Sequence, residues 1–253
     1  MTTAIITMAG FGRRFLDAGY TVPKYRIEAH GRSLFSWSML SLDQFIKAGA
    51  RFAFIVRAAD GASDFIAREA ALVGIKSFEI VELTAPTDGQ ATTAMRAAPV
   101  VPAQEPMLIY NIDTFVHPQA LPATAVRGDG WIPCFAAEGD HWSFAAAAAD
   151  GRVSAVREKK RISPHATVGL YWFASFDLFR RAYDAHYATG ETLEAGERYV
   201  APLYNWLLSQ HRPVFVHAVP VDAVVPLGVP DEVRRFQART SVSLGLRSFE
   251  VGS

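Results

Sequence analysis

Cysteine, net charge and long apolar runs are the features that this sequence most clearly lacks. Of its 253 residues one is a cysteine, Cys134, which excludes an internal disulfide and a cysteine-based zinc site. The 25 basic residues are balanced by 25 acidic ones, so no overall charge attracts the chain to nucleic acid or to an anionic membrane. No apolar run approaches the roughly 18 residues that a transmembrane helix requires. We therefore expect a soluble, cytoplasmic protein that binds neither nucleic acid nor a membrane.

The first half of the sequence alternates apolar strand patterns with helical ones. Continuous apolar runs predict strands at Ile5–Met8, Phe52–Val56, Phe78–Leu83 and Met107–Tyr110. Apolar residues at helical spacing predict helices from Ser33 to Gly49, over Ser63–Val73 and shortly after Gly89. This alternation is typical of a parallel sheet with helices on both faces, and such sheets bind ligands at the carboxyl ends of their strands.

The second half has shorter strand patterns that lie closer together. Strands are predicted at Gly130–Ala137, Ser143–Ala149, Val153–Arg157, Val168–Ala174 and Pro213–Pro220. Helices are predicted at Ser175–His186, Gly196–Gln210 and Asp231–Ala238. No repeat and no Ser-, Gly- or Pro-rich linker interrupts the chain, so we expect one continuous mixed sheet rather than two separable domains.

The loop after the first predicted strand carries the most informative pattern. It reads Met-Ala-Gly-Phe-Gly-Arg-Arg from Met8 to Arg14, and Pro23-Lys24 follows. Two glycines allow a tight turn whose N–H groups face phosphate oxygens, while Arg14 offers a planar fork and Lys24 a mobile charge. The third glycine of a dinucleotide fingerprint and the Gly-Lys-Ser/Thr of a Walker loop are both missing. On the residues alone, a triphosphate cradle and a plain βα turn with surface arginines remain alternatives.

The order Gly-x-Gly-x-Arg and then Pro-Lys resembles GT-A type nucleotidyltransferases, particularly sugar-1-phosphate nucleotidylyltransferases and their capsule-biosynthesis relatives. The similarity continues in chain order, with a base-recognition loop, a metal-binding turn, a sugar-phosphate pair and the strand after it matched by Asp88–Thr92, Asn111–Asp113, Glu158–Lys159 and Val168–Tyr171. It implies an α/β three-layer sandwich with a mixed, mainly parallel central sheet. It also implies one domain over residues 1–253, with 1–115 as the nucleotide-binding half and 116–253 as the acceptor-binding half.

The resemblance further implies a reaction and its catalytic residues. A phosphate oxygen of the acceptor, a sugar 1-phosphate, would attack the α-phosphate of a nucleoside triphosphate and release pyrophosphate, in the synthesis of surface polysaccharide precursors. Arg14 would hold the β- and γ-phosphates, and Lys24 would bridge the α-phosphate and the incoming phosphate. Asp113 would hold the cofactor Mg²⁺, a cation that favours carboxylate, water and phosphate oxygens. Without the resemblance, Asp113 could instead cap a helix over Thr114–Gln119.

The residues that contact each substrate are implied in the same way. The nucleotide would be contacted by Met8, Ala9, Gly10, Phe11, Gly12, Arg13, Gly89 and Gln90, with the Gln90 amide at the edge of the base. The acceptor would be contacted by Glu158, Lys159, Thr167 and Gly169, with Glu158 on its hydroxyls and Lys159 near its phosphate. Taken alone, a glutamine near a helix start is usually solvent-facing, and the basic cluster Arg157–Arg161 is usually a solvated loop.

Two positions depart from the pattern of the family. Arg13 stands where a small Ser or Thr is common, which either adds a phosphate contact or leaves an exposed arginine. Pro226 stands where the second metal-binding aspartate is usual, and Asp222, four residues earlier, is the candidate to replace it. One protein carboxylate could still suffice, because phosphates and waters complete the coordination of Mg²⁺.

Two other functions stay open at this point. A GT-A glycosyltransferase would consume a nucleotide sugar, but it typically carries Asp-x-Asp where this chain has Asn111-Ile112-Asp113. A non-catalytic nucleotide-binding or regulatory subunit of the same fold is suggested by Pro226, whereas the presence of Arg14, Lys24 and Asp113 argues against it. The sequence does not identify the base or the acceptor, and for the oligomeric state a homodimer is only the general expectation.

Overall fold

The computed structural model describes residues 1–188 and 196–239. Its strands are β1 (Thr3–Thr7), β2 (Glu28–Ala29), β3 (Arg32–Ser33), β4 (Arg51–Arg57), β5 (Phe78–Leu83), β6 (Met107–Asn111), β7 (Thr114–Val116), β8 (Gly130–Ala136), β9 (Ser143–Ala147), β10 (Val153–Glu158), β11 (His165–Thr167), β12 (Leu170–Phe173), β13 (Val214–Ala218) and β14 (Val224–Pro226). Its α-helices are α1 (Arg13–Asp17), α2 (Leu34–Leu40), α3 (Asp43–Lys47), α4 (Ser63–Leu72), α5 (Gln90–Met95), α6 (Phe176–His186), α7 (Tyr204–Ser209) and α8 (Pro230–Gln237).

One mixed sheet of ten strands forms the middle of the molecule. Its order is β10-β9-β11-β8-β12-β6-β1-β4-β5, and β13 pairs with β8. The pairings place β1, β4, β5, β6, β8, β9 and β13 in one direction and β10, β11 and β12 in the other. The expected α/β fold with a mixed, mainly parallel central sheet is therefore confirmed.

Each face of this sheet is covered by its own apolar layer. Successive residues of a strand point to opposite faces, and β1 accordingly sends Ala4 and Ile6 to one layer and Ile5 to the other. The first layer includes buried residues of α2, α3 and α4, and the second includes buried residues of α5, α6 and α7. The result is the expected three-layer sandwich.

A short antiparallel ribbon, β7 with β14, lies beside the main sheet. Its register pairs Thr114 with Pro226 and Val116 with Val224. The helix considered over Thr114–Gln119 is therefore wrong for 114–116, because these residues are extended and bonded to β14. The buried side chain of Phe115 packs in a third apolar cluster with residues of α1, α2 and α8.

The single helix expected from Ser33 to Gly49 is instead two. Ser33 caps α2 as predicted, since its hydroxyl accepts the Ser36 N–H at 3.0 Å. The helix ends near Ser41, whose hydroxyl accepts the N–H of Val116 in β7 at 2.9 Å. A tertiary hydrogen bond to a distant strand therefore coincides with the break between α2 and α3.

One expected helix and one expected strand are interrupted in the structure. Gly196–Gln210 was expected to be helical throughout, but α-helix begins only at Tyr204, after a 3₁₀ turn over Ala201–Leu203. Residues 196–200 are not helical, because the backbone of Arg198 bonds instead to Asp88 and Ala91. The strand expected over Val168–Ala174 is interrupted at Gly169, whose φ of +83° separates β11 from β12.

The remaining fold-level observations concern the cysteine and the helices. Cys134 is buried as a free thiol in β8, and burial raises the pKa of this thiol. No helix within residues 1–188 and 196–239 has both the length and the apolar character needed to cross a bilayer.

Candidate active site

The loop after β1 and the turn after β6 meet at one edge of the sheet. β1 and β6 are parallel neighbours, with Thr7 opposite Asn111. Residues that follow two parallel neighbours leave the sheet at the same edge. The Met8–Arg14 loop and the Asn111–Asp113 turn, both expected from the sequence to carry the site, are thereby brought together.

Lys24 and Asp113 form an ion pair at this edge, although they are 89 positions apart in the chain. Pro23 is extended (ψ 140°), and Lys24 opens a 3₁₀ turn over Lys24–Arg26. The side chains are 17% and 34% exposed, respectively, so the pair is accessible from the cleft. Two of the three residues expected to be catalytic are in direct contact.

The charges around Lys24 act on it in opposite directions. Burial and the Arg14 guanidinium lower the pKa of the Lys24 ammonium from its ordinary value, whereas the Glu232 carboxylate raises it. Contact with the Asp113 carboxylate also favours the charged form. Arg14, the third expected catalytic residue, is thus close enough to Lys24 to repel it. The Lys24–Asp113 pair therefore lies near two further charged groups, Arg14 and Glu232.

The glycine-rich loop has the shape that the sequence suggested. Gly12 has φ +61° and ψ 30° and directly precedes α1, and the carbonyl of Gly12 accepts the Phe15 N–H at 2.8 Å. Within the part of the chain that the structure describes, no atom lies within 4 Å of the position that a Cβ of Gly10 or Gly12 would take. The backbone of this loop is therefore open to close approach by a ligand. Phe15, where a dinucleotide fingerprint has its third glycine, is buried in the third apolar cluster.

A cavity of about 250 Å³ lies beside the loop, between α1, the segment that carries Lys24 and the end of β4. Phe11 is half exposed on its rim, with the guanidiniums of Arg13 and Arg57 at 5.6 and 5.1 Å from the ring centroid. Arg57 is held by Asp60 at 2.5 Å. Arg57 and Asp60 were not predicted as site residues, because an arginine at the end of a strand and an aspartate in the following turn form no recognisable motif.

The expected base-recognition turn is fixed by a second segment of the chain. Gly89 has φ +145°, and a Cβ there would lie 2.5 Å from the backbone nitrogen of Arg198. The N–H of Arg198 donates to the Asp88 carbonyl at 2.8 Å, and the N–H of Ala91 donates to the Arg198 carbonyl at 3.0 Å. Gln90 is directed inward rather than to solvent, as its amide donates to the Thr7 hydroxyl at 3.3 Å. Arg198 was missed because only the fold brings it here.

The expected acceptor residues separate into a buried group and an exposed one. Glu158 is only 7% exposed, and its carboxylate accepts a hydrogen bond from Ser143. The Tyr171 hydroxyl lies 3.3 Å from that of Ser143 and 2.9 Å from that of Thr167. Glu158 is thus part of a buried hydroxyl network, not of a solvated loop.

Lys159 is the exposed member of this set. It has φ +48°, and its ammonium donates to the Tyr199 hydroxyl at 2.5 Å while lying 4.6 Å from the centre of that ring. Gly169 is packed against the Asn111–Asp113 turn, since a Cβ there would lie 2.8 Å from Cγ of Asn111. Of the residues expected to contact the acceptor, Gly169 therefore adjoins this turn.

A solved structure decides the family of this site. The chain is 37% identical to a nucleoside-diphosphate-sugar pyrophosphorylase from Vibrio cholerae RC9, over 93% of this chain and 100% of that one, with a TM-score of 0.87. The chain belongs to the nucleoside-diphosphate-sugar pyrophosphorylase family. The expectation that it is an enzyme of the nucleotidyltransferase type is confirmed.

Other solved structures share the pyrophosphorylase fold at lower identity. One is an inositol-1-phosphate CTP transferase from T. maritima, at 17% identity over 96% of this chain and 94% of that one, with a TM-score of 0.72. Another is a UDP-glucose pyrophosphorylase complexed with UDP-glucose, at 13% identity over 94% and 97%, with a TM-score of 0.73. No protein-family model matches the chain, and no curated protein matches it.

At the metal site that the resemblance implies, Pro226 stands where a second carboxylate is usual. Pro226 lies in β14 opposite Thr114, next to Asp113. Asp222 is exposed and precedes β14, whose first residue, Val224, pairs with Val116. Asp113 precedes Thr114, which pairs with Pro226 at the opposite end of the ribbon, so the length of the ribbon separates the two aspartates. The carboxylate of Glu232 in α8 does lie near Asp113, because both are within 4 Å of the Cβ position of Gly228. Glu232 was not predicted from the sequence.

Magnesium is a hard cation that binds carboxylate, water and phosphate oxygens, and the residues present can be tested against that requirement. Among residues 1–188 and 196–239, no group of three or more His, Cys, Asp or Glu side chains is arranged to hold a metal ion. Mg²⁺ does not need such a group, because one or two carboxylates with substrate phosphates and waters satisfy it. The Asp113 carboxylate, at the carboxyl end of a strand and already facing a cation, fits that requirement.

Proposed function

We propose that this protein catalyses the Mg²⁺-dependent transfer of a nucleotidyl group from a nucleoside triphosphate to a sugar 1-phosphate, with release of pyrophosphate. The observation that carries the proposal is the Lys24–Asp113 ion pair beside Arg14, where the glycine-rich loop meets the end of β6. The Vibrio cholerae relative, described as a nucleoside-diphosphate-sugar pyrophosphorylase, supports the choice of a sugar phosphate as acceptor. Cytoplasmic synthesis of surface polysaccharide precursors is the setting that we propose.

The reaction requires one bond to form and one to break at the α-phosphorus. An acceptor phosphate oxygen forms the new P–O bond, and the bond to the bridging oxygen of pyrophosphate breaks, so that its electron pair leaves with pyrophosphate. Such chemistry depends on positioning and charge neutralisation more than on covalent help from the protein. Bound at Asp113, Mg²⁺ would neutralise and orient the phosphate oxygens.

The protein residues divide this task between them. The open backbone of Met8–Gly12 would receive the triphosphate, and Arg14 would bind the β- and γ-phosphates. Lys24 would leave Asp113 to neutralise the charge that grows on the α-phosphate and the attacking oxygen. Pre-placed cations of this kind stabilise the transition state at little reorganisation cost.

The two substrates would approach from different halves of the domain. The nucleotide would lie over residues 1–115, which supply the loop, Gln90 and Asp113. The acceptor would lie over residues 116–253, where Glu158 would bind sugar hydroxyls and Lys159 its phosphate, beside Thr167 and Gly169. The buried hydroxyl network around Glu158 supports this assignment, because a carboxylate held by hydroxyl donors is a fixed acceptor for sugar hydroxyls.

The two alternative functions are less well supported. A glycosyltransferase would consume a nucleotide sugar, whereas the family of this chain forms one, and Asn111 occupies the first position of the Asp-x-Asp pattern. A non-catalytic subunit would have no need to keep Lys24, Asp113 and Arg14 in one cluster. Formation of a free nucleoside diphosphate from a nucleotide sugar would favour the first alternative.

Pyrophosphate release tests the proposal directly. Each of ATP, GTP, CTP, UTP and dTTP is incubated with a panel of hexose 1-phosphates and Mg²⁺, and pyrophosphate is measured. We expect one triphosphate to support turnover, and Lys24→Ala to lower kcat by about 10²–10³-fold, as for loss of one transition-state donor.

The matched control is Lys47→Ala. This lysine is exposed on α3 and bonded to Asp43 at 2.8 Å, away from the cleft, so it should leave turnover unchanged. Equal rates for the Lys24→Ala variant and the wild type would contradict the role of Lys24. Nucleotide binding without pyrophosphate release across the whole panel would favour the non-catalytic alternative.

A further inference from the structure

The turn between β14 and α8 is hydrogen-bonded to Asp113, the proposed metal ligand. Pro226 is opposite Thr114 in the ribbon, and the next residue, Leu227, donates its N–H to the carbonyl of Asp113 at 2.6 Å. The backbone that follows Pro226 therefore continues alongside Asp113. Whatever holds this turn in place also holds one side of the proposed metal site.

Glu232, in the first turn of α8, holds the turn from its other side. Its Oε2 atom accepts the N–H of Gly228 at 2.8 Å and the N–H of Val229 at 3.0 Å. Charge-assisted bonds from two adjacent backbone amides fix a carboxylate firmly. Both bonds use the same oxygen, Oε2. Leu227–Val229 is thus bonded to Asp113 at its first residue and to Glu232 at the next two.

The two carboxylates lie on either side of one glycine. A Cβ at Gly228 would be 3.6 Å from Oε2 of Glu232 and 3.8 Å from Oδ2 of Asp113. Any side chain at this position would contact both groups. Both carboxylates therefore lie within 4 Å of the same position.

The charge near Asp113 would change during the proposed reaction. In the structure the Lys24 ammonium is paired with the Asp113 carboxylate. In the proposed reaction, Lys24 moves to the α-phosphate. The Asp113 carboxylate would then lose its paired ammonium, and with Glu232 it would be available to balance the charge of a divalent cation.

We infer that Glu232 supplies the second carboxylate charge of the cation site, in place of the aspartate that Pro226 replaces. This inference rests on the proposed function, because it assumes that Asp113 binds a divalent cation. Glu232 acts as a positioning residue: it holds the turn against Asp113 and adds a negative charge beside it.

Cation binding, measured without catalysis, tests the inference. Mn²⁺ alone is titrated into the protein, and the free ion is followed by its electron paramagnetic resonance signal. Glu232→Gln keeps an oxygen to accept the two backbone N–H groups but removes the charge, whereas Glu232→Ala removes both. We expect Glu232→Gln to weaken Mn²⁺ binding about 10- to 100-fold, the usual effect of losing an outer partner of a metal site, with little change in Tm.

Three aspartates complete the design. Asp113→Asn should abolish Mn²⁺ binding. Asp231→Asn is the matched control, because Asp231 precedes Glu232 in α8, is exposed and pairs with Arg234; it should leave binding unchanged. Asp222→Asn, the candidate from the sequence, should also leave it unchanged.

Each contrary outcome has a distinct meaning. If Asp113→Asn loses Mn²⁺ and Glu232→Gln retains it, Glu232 merely caps α8, and the inference alone fails. Loss of binding in Asp222→Asn with retention in Glu232→Gln would give the second charge to Asp222. If the wild type does not bind Mn²⁺, or if Asp113→Asn binds it equally well, the cation site of the proposed function fails, and this inference fails with it.

Discussion

Two serines on one helix show how much depends on the partner of a single buried hydroxyl. Ser38 and Ser41 are both fully buried near the end of α2. The Ser41 hydroxyl accepts the Val116 N–H and so connects α2 to β7, which begins directly after Asp113. The Ser38 hydroxyl is buried without a hydrogen-bond partner among residues 1–188 and 196–239. The Ser41 hydroxyl therefore satisfies a strand N–H group beside the site, whereas the Ser38 hydroxyl loses its contact with water and gains no hydrogen bond within the described residues.

Substitution by alanine should separate these two serines. Ser41→Ala leaves the Val116 N–H unsatisfied and should lower the free energy of unfolding by about 1–3 kcal/mol. Ser38→Ala, the matched control, removes an unpaired polar group and should be neutral or stabilising. Urea denaturation of the two variants measures both values. A loss of stability in Ser38→Ala equal to that in Ser41→Ala would contradict this account of the helix break.

At the scale of elements, the sequence predicted most strands and helices close to their observed bounds. The run Phe78–Leu83 coincides with β5, and Ser33 caps α2 as its position before an apolar stripe indicated. Three of the errors share one physical cause. At Ser41, at Thr114–Val116 and at Arg198, bonds to distant segments decide the local structure, and no local pattern of residues carries that information.

The packing of Gly89 against Arg198 gives a prediction at this scale. Gly89→Ala places a Cβ 2.5 Å from a backbone atom of Arg198 and requires a φ of +145°, a region that is essentially restricted to glycine. We expect the free energy of unfolding to fall by at least about 1–3 kcal/mol, the cost of such a backbone conformation alone. Triphosphate binding should weaken as well, because the turn before Gln90 must move.

Gly49→Ala provides the control for this substitution. Gly49 also has positive φ (+78°), but no atom of the described residues lies within 4 Å of its Cβ position, so only the left-handed penalty of about 1–2 kcal/mol applies. Denaturation curves and triphosphate titrations of both variants measure the difference. Unchanged triphosphate affinity in Gly89→Ala would contradict the part assigned to this turn.

At the scale of the molecule, the site joins elements that are far apart in the chain. Arg14, Lys24 and Asp113 were predicted from the loop motif and from the family resemblance, and the fold brings them into one cluster. Glu232, Arg198 and Tyr199 were not predicted, because a glutamate in a helix and an Arg-Tyr pair in a connecting segment have no signature of their own. Their importance arises only from contacts that the complete fold creates.

The central claim is that this cluster binds a nucleoside triphosphate together with Mg²⁺. Its most direct test is the Tm of the protein with ATP, GTP, CTP, UTP or dTTP, each with and without Mg²⁺. A ligand at 100 times its Kd adds about 2.7 kcal/mol to the free energy of unfolding, so binding produces a clear shift. We expect one triphosphate to raise the Tm of the protein in the presence of Mg²⁺ and not in its absence. If no triphosphate raises Tm under either condition, the claim is contradicted.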